Sequence, residues 1–398
     1  MNVRLENSKI NGRIEAICSK SYAHRICICD FLAGNDIRES FNGFTSKDIL
    51  ATANCLNALK NGKTDLDCNE SGSTLRFMIP LCASLGGEFN LFGSEKLLSR
   101  PNDELFKVLK ANGVDATQEK GHITLNGKLT SGEFRVRGDI SSQYISGLLM
   151  ALSHLDKNST IKLTTPLSSK PYVDITIEVL KGYGVEIEEV KDGYFIKGNQ
   201  KHKGSLYPEG DWSNMSAFLV LGAINGEVSV KDLKLDSTQG DRKIIEILRK
   251  AGADVKENQR EIIVKKSNLV GFTIDADNCP DLVPICAVLG ALAKGKTVIE
   301  NVERLRLKES DRILSTMETL KAFNIKSECD GKTMIIYGGE VKGGTVDAFN
   351  DHRIVMASTI LSSVANGDSV IVGAEAVQKS YPTFFTDYAK LGGKTSEV

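Results

Sequence analysis

Two kinds of helical pattern alternate along the chain. The first is apolar almost all round and rich in small residues; it recurs at 24–32, 75–85, 144–152, 216–224, 282–292 and 354–364. A helix without a polar face is buried on several sides. Pro80 and Pro284 lie inside two of these segments and predict a kink or a restart. The second pattern is amphipathic and ends in a Leu-basic pair: Leu109-Lys110, Leu180-Lys181, Leu248-Arg249 and Leu320-Lys321. Leu59-Lys60-Asn61-Gly62 reads as an earlier, shortened copy. Gly or Asn follows as a left-handed stop, then come alternating segments that predict strands, such as 123–127 and 194–198. The repeat length is about 70 residues, too long for a solenoid. Six such β/α units predict two domains of three units each.

Between Arg304 and Arg312 the pattern changes. Arg304, Arg306 and Lys308 alternate with Leu305 and Leu307, which predicts a strand with cations on one face. Ile313, Leu314, Met317 and Leu320 then recur at helical spacing. Glu309 and Asp311 suit the positive start of that helix; Arg312 does not, and needs a reason.

The same anomaly recurs ahead of the buried helices. Their six leaders are all polar: 19–25, 69–76, 139–143, 210–214, 278–281 and 350–353. One Ser, Asp or Asn per leader is an ordinary helix cap, and that covers Ser141, Asp211 and Asn278. It does not cover Lys20, Arg25, Arg76 and Arg353. Cations at a helix N-terminus are disfavoured unless an anion lies between them. Arg100 is one more cation at a helix start, while Ser169, before Pro171, has the look of a plain cap. Equivalent leaders in a repeated array gather at one end of each domain. The pattern therefore predicts binding of a small, multiply charged anion in a cleft between two halves. Asp281 and Glu309 stand beside these cations and are the candidates for proton transfer.

Composition narrows the function further. Among 398 residues, charged side chains make up 25% and the formal net charge is -1, which argues against a general binder of nucleic acid or membrane surface. Nine Cys are scattered through apolar runs with no zinc spacing, as expected of reduced cysteines in a cytoplasmic protein. No apolar run approaches the roughly 20 residues of a membrane span, and the N-terminus lacks the core of a signal peptide. No Walker A, HExxH or GxSxG motif occurs.

In order along the chain, Ser19-Lys20-Ser21 with Arg25, Gly72 with Arg76, Arg100-Pro101, Ser141-Ser142-Gln143, Ser169-Lys170-Pro171-Tyr172, Pro280-Asp281, Lys308-Glu309-Ser310-Asp311-Arg312, Asn350-Asp351-His352-Arg353 and Lys379 resemble the 3-phosphoshikimate 1-carboxyvinyltransferase family of enolpyruvyl transferases. The resemblance spans essentially the whole chain. It implies an α/β fold of two pseudo-threefold domains, each of three βαβαββ units forming an inside-out barrel. The domains are expected at 1–18 plus 210–398, mainly the phosphoenolpyruvate side, and at 19–209, mainly the shikimate 3-phosphate side, with closure around the substrates.

It also implies the reaction: the enolpyruvyl group of phosphoenolpyruvate moves to the 5-hydroxyl of shikimate 3-phosphate and phosphate leaves. By the same resemblance Lys20, Gly72, Arg100, Gln143, Arg312, Arg353 and Lys379 hold phosphoenolpyruvate. Lys20, Ser21, Arg25, Ser141, Ser142, Gln143, Ser169, Asp281 and Lys308 hold shikimate 3-phosphate. Asp281, Glu309 and Lys20 are the catalytic set, with no metal or cofactor, in a cytoplasmic monomer that engages neither nucleic acid nor membrane. Both substrates carry a carboxylate and a phosphate, and Arg forks suit both groups. Arg304 stands where relatives often carry an amide or an acid and is given no substrate role.

Two other readings compete. A sister enzyme transfers the same group to UDP-N-acetylglucosamine, but its members carry a Cys on a loop ahead of an Arg, and 95–99 has none. A non-catalytic anion-binding scaffold would need the cations but not both Asp281 and Glu309.

Overall fold

The structure is a computed structural model describing residues 1–398. The chain divides into two compact units: 1–19 with 209–398, and 20–208. The N-terminal strands explain the discontinuity. Asn2–Glu6 pairs antiparallel with Ser369–Val372, and Asn11–Glu15 runs parallel to Glu227–Lys231, so both lie in sheets built mostly from the C-terminal half.

The larger unit has three four-stranded sheets and the smaller has two, and all five share one strand order. A parallel pair comes first, and two further antiparallel strands continue from its second member; these two form a hairpin except where Asn2–Glu6 pairs with Lys394–Glu397 from the other end of the chain. In the smaller unit Asp65–Asp67 is parallel to Gly87–Phe92, which pairs with His122–Gly127 and then Val114–Glu119. Four of the parallel pairs are joined through a buried helix, as a crossover needs, and between Asn11–Glu15 and Glu227–Lys231 the chain passes through the whole smaller unit before its helix.

All six near-continuous apolar segments are helices: Lys20–Ala33, Gly72–Leu85, Ser142–Leu152, Trp212–Asn225, Val283–Ala291 and His352–Ser362. They supply the centre of each core, with Ile26, Met78, Leu148, Phe218, Leu289 and Ile360 fully buried. Pro284 lies in the first turn of its helix, after a 3-10 turn at Pro280–Leu282, so there the helix restarts. Close backbone approach needs glycine where two of these helices pack. A Cβ on Gly147 would come 2.7 Å from the Arg76 carbonyl, the group that Pro80 leaves without its helical donor.

Two expectations are corrected. Glu303–Leu307 is a 3-10 helix, not a strand. Asn301 turns the chain in the left-handed region after the Lys296–Glu300 strand, and the next residues close i→i+3 bonds such as Leu305 N to Val302 O. Leu305 is buried, but Leu307 is 42% exposed, so the leucines share no face. The sixth unit also lacks its sheet. Between Lys20–Ala33 and Lys47–Lys60 the chain makes only one isolated bridge, Phe41 to Phe44.

Candidate active site

In the smaller unit, Lys20 opens its helix and places Nζ 2.8 Å from Oδ2 of Asp48. Asp48 is in the first turn of Lys47–Lys60, a helix capped by Ser46. Helix Gly72–Leu85 is capped by Ser71, whose hydroxyl accepts from the Thr74 amide. Gly72 leaves room for the two guanidiniums: a Cβ would stand 2.4 Å from Nη1 of Arg100 and 3.3 Å from Nη1 of Arg76, so any side chain there displaces Arg100. Arg76, 4% exposed, donates to Oε1 of Gln143 at 2.9 Å and to the Pro101 carbonyl at 3.3 Å. Gln143 in turn donates from Nε2 to Ser73. Arg76 thus braces both the turn after Arg100 and the Gln143 amide.

The remaining candidates of this unit are more local. Ser141 caps its helix by accepting from the Gln143 amide at 3.3 Å, and Ser142 is buried. Ser21 is half-buried, and its carbonyl accepts from Arg25. Arg25 is buried, lies over the Phe77 ring, and donates from all three nitrogens to Thr176, Ser21, Ser146 and Tyr172. Burial pulls its pKa down to about 10, against the opposing influence of Tyr172 and Tyr22. Ser169 is not the expected cap. Its φ is 55° and its side chain does not cap Lys170–Gly182. A non-glycine residue in that region costs free energy, of the kind found at functional positions.

In the larger unit the cations meet carboxylates. Arg312 begins helix Arg312–Ala322, which Asp311 caps, and its side chain is 1% exposed. Its Nη1 donates to Asp281 at 2.7 Å, Nη2 to Glu309 at 2.7 Å, and Nε to Asp351 at 2.8 Å. Asp351 also caps His352–Ser362 through the Arg353 amide and accepts from Ser310. This is the reason for a cation at that helix start: three acids from three segments hold it. Lys308 Nζ lies 3.1 Å from Asp281, and Arg353 Nη2 lies 3.9 Å from its other oxygen. Arg353 also donates to the carbonyl, hydroxyl and side-chain oxygens of Ser213 and Asn214. Lys379, 8% exposed, donates to the Asn350 carbonyl at 2.8 Å. Asp211 caps Trp212–Asn225 as expected; Asn278 does not cap, because the 3-10 turn follows Cys279.

These contacts set the protonation states. Burial alone would raise the Asp281 carboxyl; Lys308, Arg312 and Arg353 outweigh it and hold it well below the usual range. Lys308 is pulled down by burial despite Asp281. Asp241 goes the other way. Burial and the Asp281 charge push it up to about 7, against Arg353 and a bond to Ser213. Neither Asp48 nor Asp241 was among the sequence candidates. Asp48 carries only the signal of an acid in a first helical turn, and Asp241 carries none.

A family profile described as EPSP synthase (3-phosphoshikimate 1-carboxyvinyltransferase) matches residues 60–388. The chain is 40% identical to the 3-phosphoshikimate 1-carboxyvinyltransferase of Clostridium novyi, covering 100% of this chain and 98% of that one over 431 aligned positions.

The chain belongs to the EPSP synthase family.

A second relative of the same description, from Clostridium kluyveri, is also 40% identical, over 99% and 98% of the two chains. The fold agrees. EPSP synthase from Acinetobacter baumannii matches with a TM-score of 0.80 at 24% identity over the full length of both chains. The enolpyruvyl transferase NikO from Streptomyces tendae gives the same TM-score at 15% identity, covering 100% and 98%. The EPSP synthase family moves the enolpyruvyl group of phosphoenolpyruvate to shikimate 3-phosphate, on the route to aromatic amino acids.

Proposed function

We infer that this chain is a transferase carrying out that reaction at the 5-hydroxyl of shikimate 3-phosphate, through a tetrahedral adduct. The observation that carries the reading is the Asp281 carboxylate, within 4 Å of three cations. Phosphoenolpyruvate is held by Lys20, Gly72, Arg100, Gln143, Arg312, Arg353 and Lys379. Shikimate 3-phosphate is held by Lys20, Ser21, Arg25, Ser141, Ser142, Gln143, Ser169, Asp281 and Lys308.

Asp281 is ionised at neutral pH, as a base must be, but its cations make it weak. The carboxylate and phosphate of the substrates draw on those cations, so Asp281 gains basicity when they bind. It then takes the proton of the 5-hydroxyl as the oxygen attacks C2 of phosphoenolpyruvate. Glu309 or Lys20 delivers a proton to C3. Reversal of the proton movements expels phosphate. With this goes the family's pseudo-threefold, inside-out arrangement, supported by the strand order shared by all five sheets. The same reading has a cytoplasmic monomer; no helix is long and apolar enough to cross a membrane.

The test is phosphate release from purified protein with both substrates, with shikimate 3-phosphate omitted as the control. Asp281→Asn is expected to lower kcat by about 10²–10⁴-fold, the usual range for a general base. Near-normal turnover in that variant would remove Asp281 from the mechanism.

A further inference from the structure

The side chain of Gln239 is 6% exposed and joins stretches that are far apart in sequence. The chain leaves the larger unit at Ser19 and returns at Glu209. There the two segments pair: Cys18 bridges Gly210, the Ser19 amide donates to Glu209 O at 2.8 Å, and the Asp211 amide donates to Ile17 O at 2.8 Å. Gln239 sits on this pair. Its Oε1 accepts from the Ser19 hydroxyl at 3.1 Å and from the Trp212 amide at 3.2 Å. Its Nε2 donates to Glu209 Oε1 at 2.7 Å and to the Gly210 carbonyl at 2.8 Å. Only an amide presents an acceptor to two donors and a donor to two acceptors in this way.

We propose that Gln239 is a positioning residue for the transfer reaction, pinning the outgoing and returning strands so that Lys20 and the Ser213 cradle of Arg353 keep their places. The proposal rests on the functional reading above. A residue that merely shaped its own turn would be satisfied locally, yet only Ser237 among its side-chain partners is local. Two of the four outside tethers adjoin a site group. Ser19 precedes Lys20. Trp212 precedes Ser213, whose carbonyl and hydroxyl hold the Arg353 guanidinium. Asp241, bonded to the same Ser213, is two residues beyond Gln239 on its own turn. Loosening one amide therefore relaxes three routes into the groups assigned to phosphoenolpyruvate, and displacements on the scale of an ångström cost on the order of 100-fold in rate.

Three variants test this: Gln239→Ala, Gln239→Glu and the double variant Gln239→Glu with Glu209→Gln. Gln239→Glu sets a carboxylate against the Glu209 carboxylate and the Gly210 carbonyl. The double variant restores a donor opposite an acceptor at the Glu209 contact. In Gln239→Glu, amide exchange at Ser19 and Asp211 is expected to speed up about 10-fold. Its kcat should fall about 30-fold, with KM for shikimate 3-phosphate within about threefold of the parent. The double variant should regain about fivefold of that kcat. Should Gln239→Glu not fold, Gln239→Ala is read in the same assays and should show the same faster exchange and lower kcat. Unchanged kcat, lost kcat with unchanged exchange at Ser19 and Asp211, or no recovery in the double variant overturns the proposal. If the unaltered protein releases no phosphate, the functional reading fails instead, and the exchange rates still report whether the pin exists.

Discussion

At the scale of single residues, the structure places restraint where the sequence showed only charge. Gly72 is the sharpest case. Gly72→Ala would add a methyl 2.4 Å from the Arg100 guanidinium, and Arg100 must swing away because helix backbone lies on the other side. The cost falls on the site and not on the fold, since alanine suits a helix better than glycine. The expected outcome is a KM for phosphoenolpyruvate raised about 10–100-fold, with melting temperature unchanged or slightly higher. Steady-state kinetics and a thermal melt check the two halves separately. The cations of the leaders were legible in the sequence because each broke the rule for its helix end. Their partners were not. Asp281, Glu309 and Asp351 neutralise Arg312 inside the protein, so the crowding of cations does not depend on anionic guests alone. A single acid such as Asp48, or a glutamine such as Gln239, has no signature until folding sets it against its partner.

At the scale of elements, near-continuous apolar runs identified all six buried helices, because no other element buries such a length on every side. Counting units by their helices then overcounted sheets. The segment 34–46 replaces the absent sheet with a polar clamp. Arg38 donates from Nε and Nη2 to Asp30, which is 1% exposed and also accepts from Tyr183 and Asn35. The Arg38 guanidinium lies 4.9 Å from the centre of the Phe41 ring and 5.0 Å from that of Tyr207. Removing one partner of a buried pair leaves the other charge unpaired, which costs about 3–5 kcal/mol. Arg38→Ala should therefore destabilise the smaller unit by about 3 kcal/mol, whereas an exposed pair such as Lys60–Asp36 should contribute under about 1 kcal/mol. Urea unfolding of Arg38→Ala and of Lys60→Ala gives the comparison. The misread 304–307 stretch shows the opposite weakness of pattern: two alternations are too few to separate a strand from a 3-10 turn.

At the scale of the whole molecule, the buried titrating groups divide between the units with opposite sign. His24 and His202 lie in the smaller unit. Burial holds His24 well below its ordinary pKa, with Lys20 and Arg25 adding to the effect. Burial and His154 bring His202 down to about 4. A histidine with a lowered folded pKa binds fewer protons folded than unfolded between pH 6.5 and that pKa. Its contribution is present above 6.5 and is lost as the pH falls, by about 3 kcal/mol for His202 across its full window. Asp241, in the larger unit, has a raised pKa of about 7. Its stabilising contribution is present below the ordinary carboxylate range and is lost as the pH rises toward 7, so acidification from pH 7 to 5 favours that unit. Asp281 does not oppose this, because its lowered pKa places its loss below pH 4. Trp212, the only tryptophan and fully buried, lies in the larger unit and reports on it alone. Between pH 7 and 5 the midpoint followed by tryptophan fluorescence should hold or rise. The midpoint followed by amide exchange within 142–152 should fall. His202→Gln should flatten the second trend and leave the first untouched, while Asp241→Asn should flatten the first and leave the second. In the unaltered protein, a tryptophan midpoint that falls would mean that Asp241 does not govern its unit, and an exchange midpoint that does not fall would mean the same of His202.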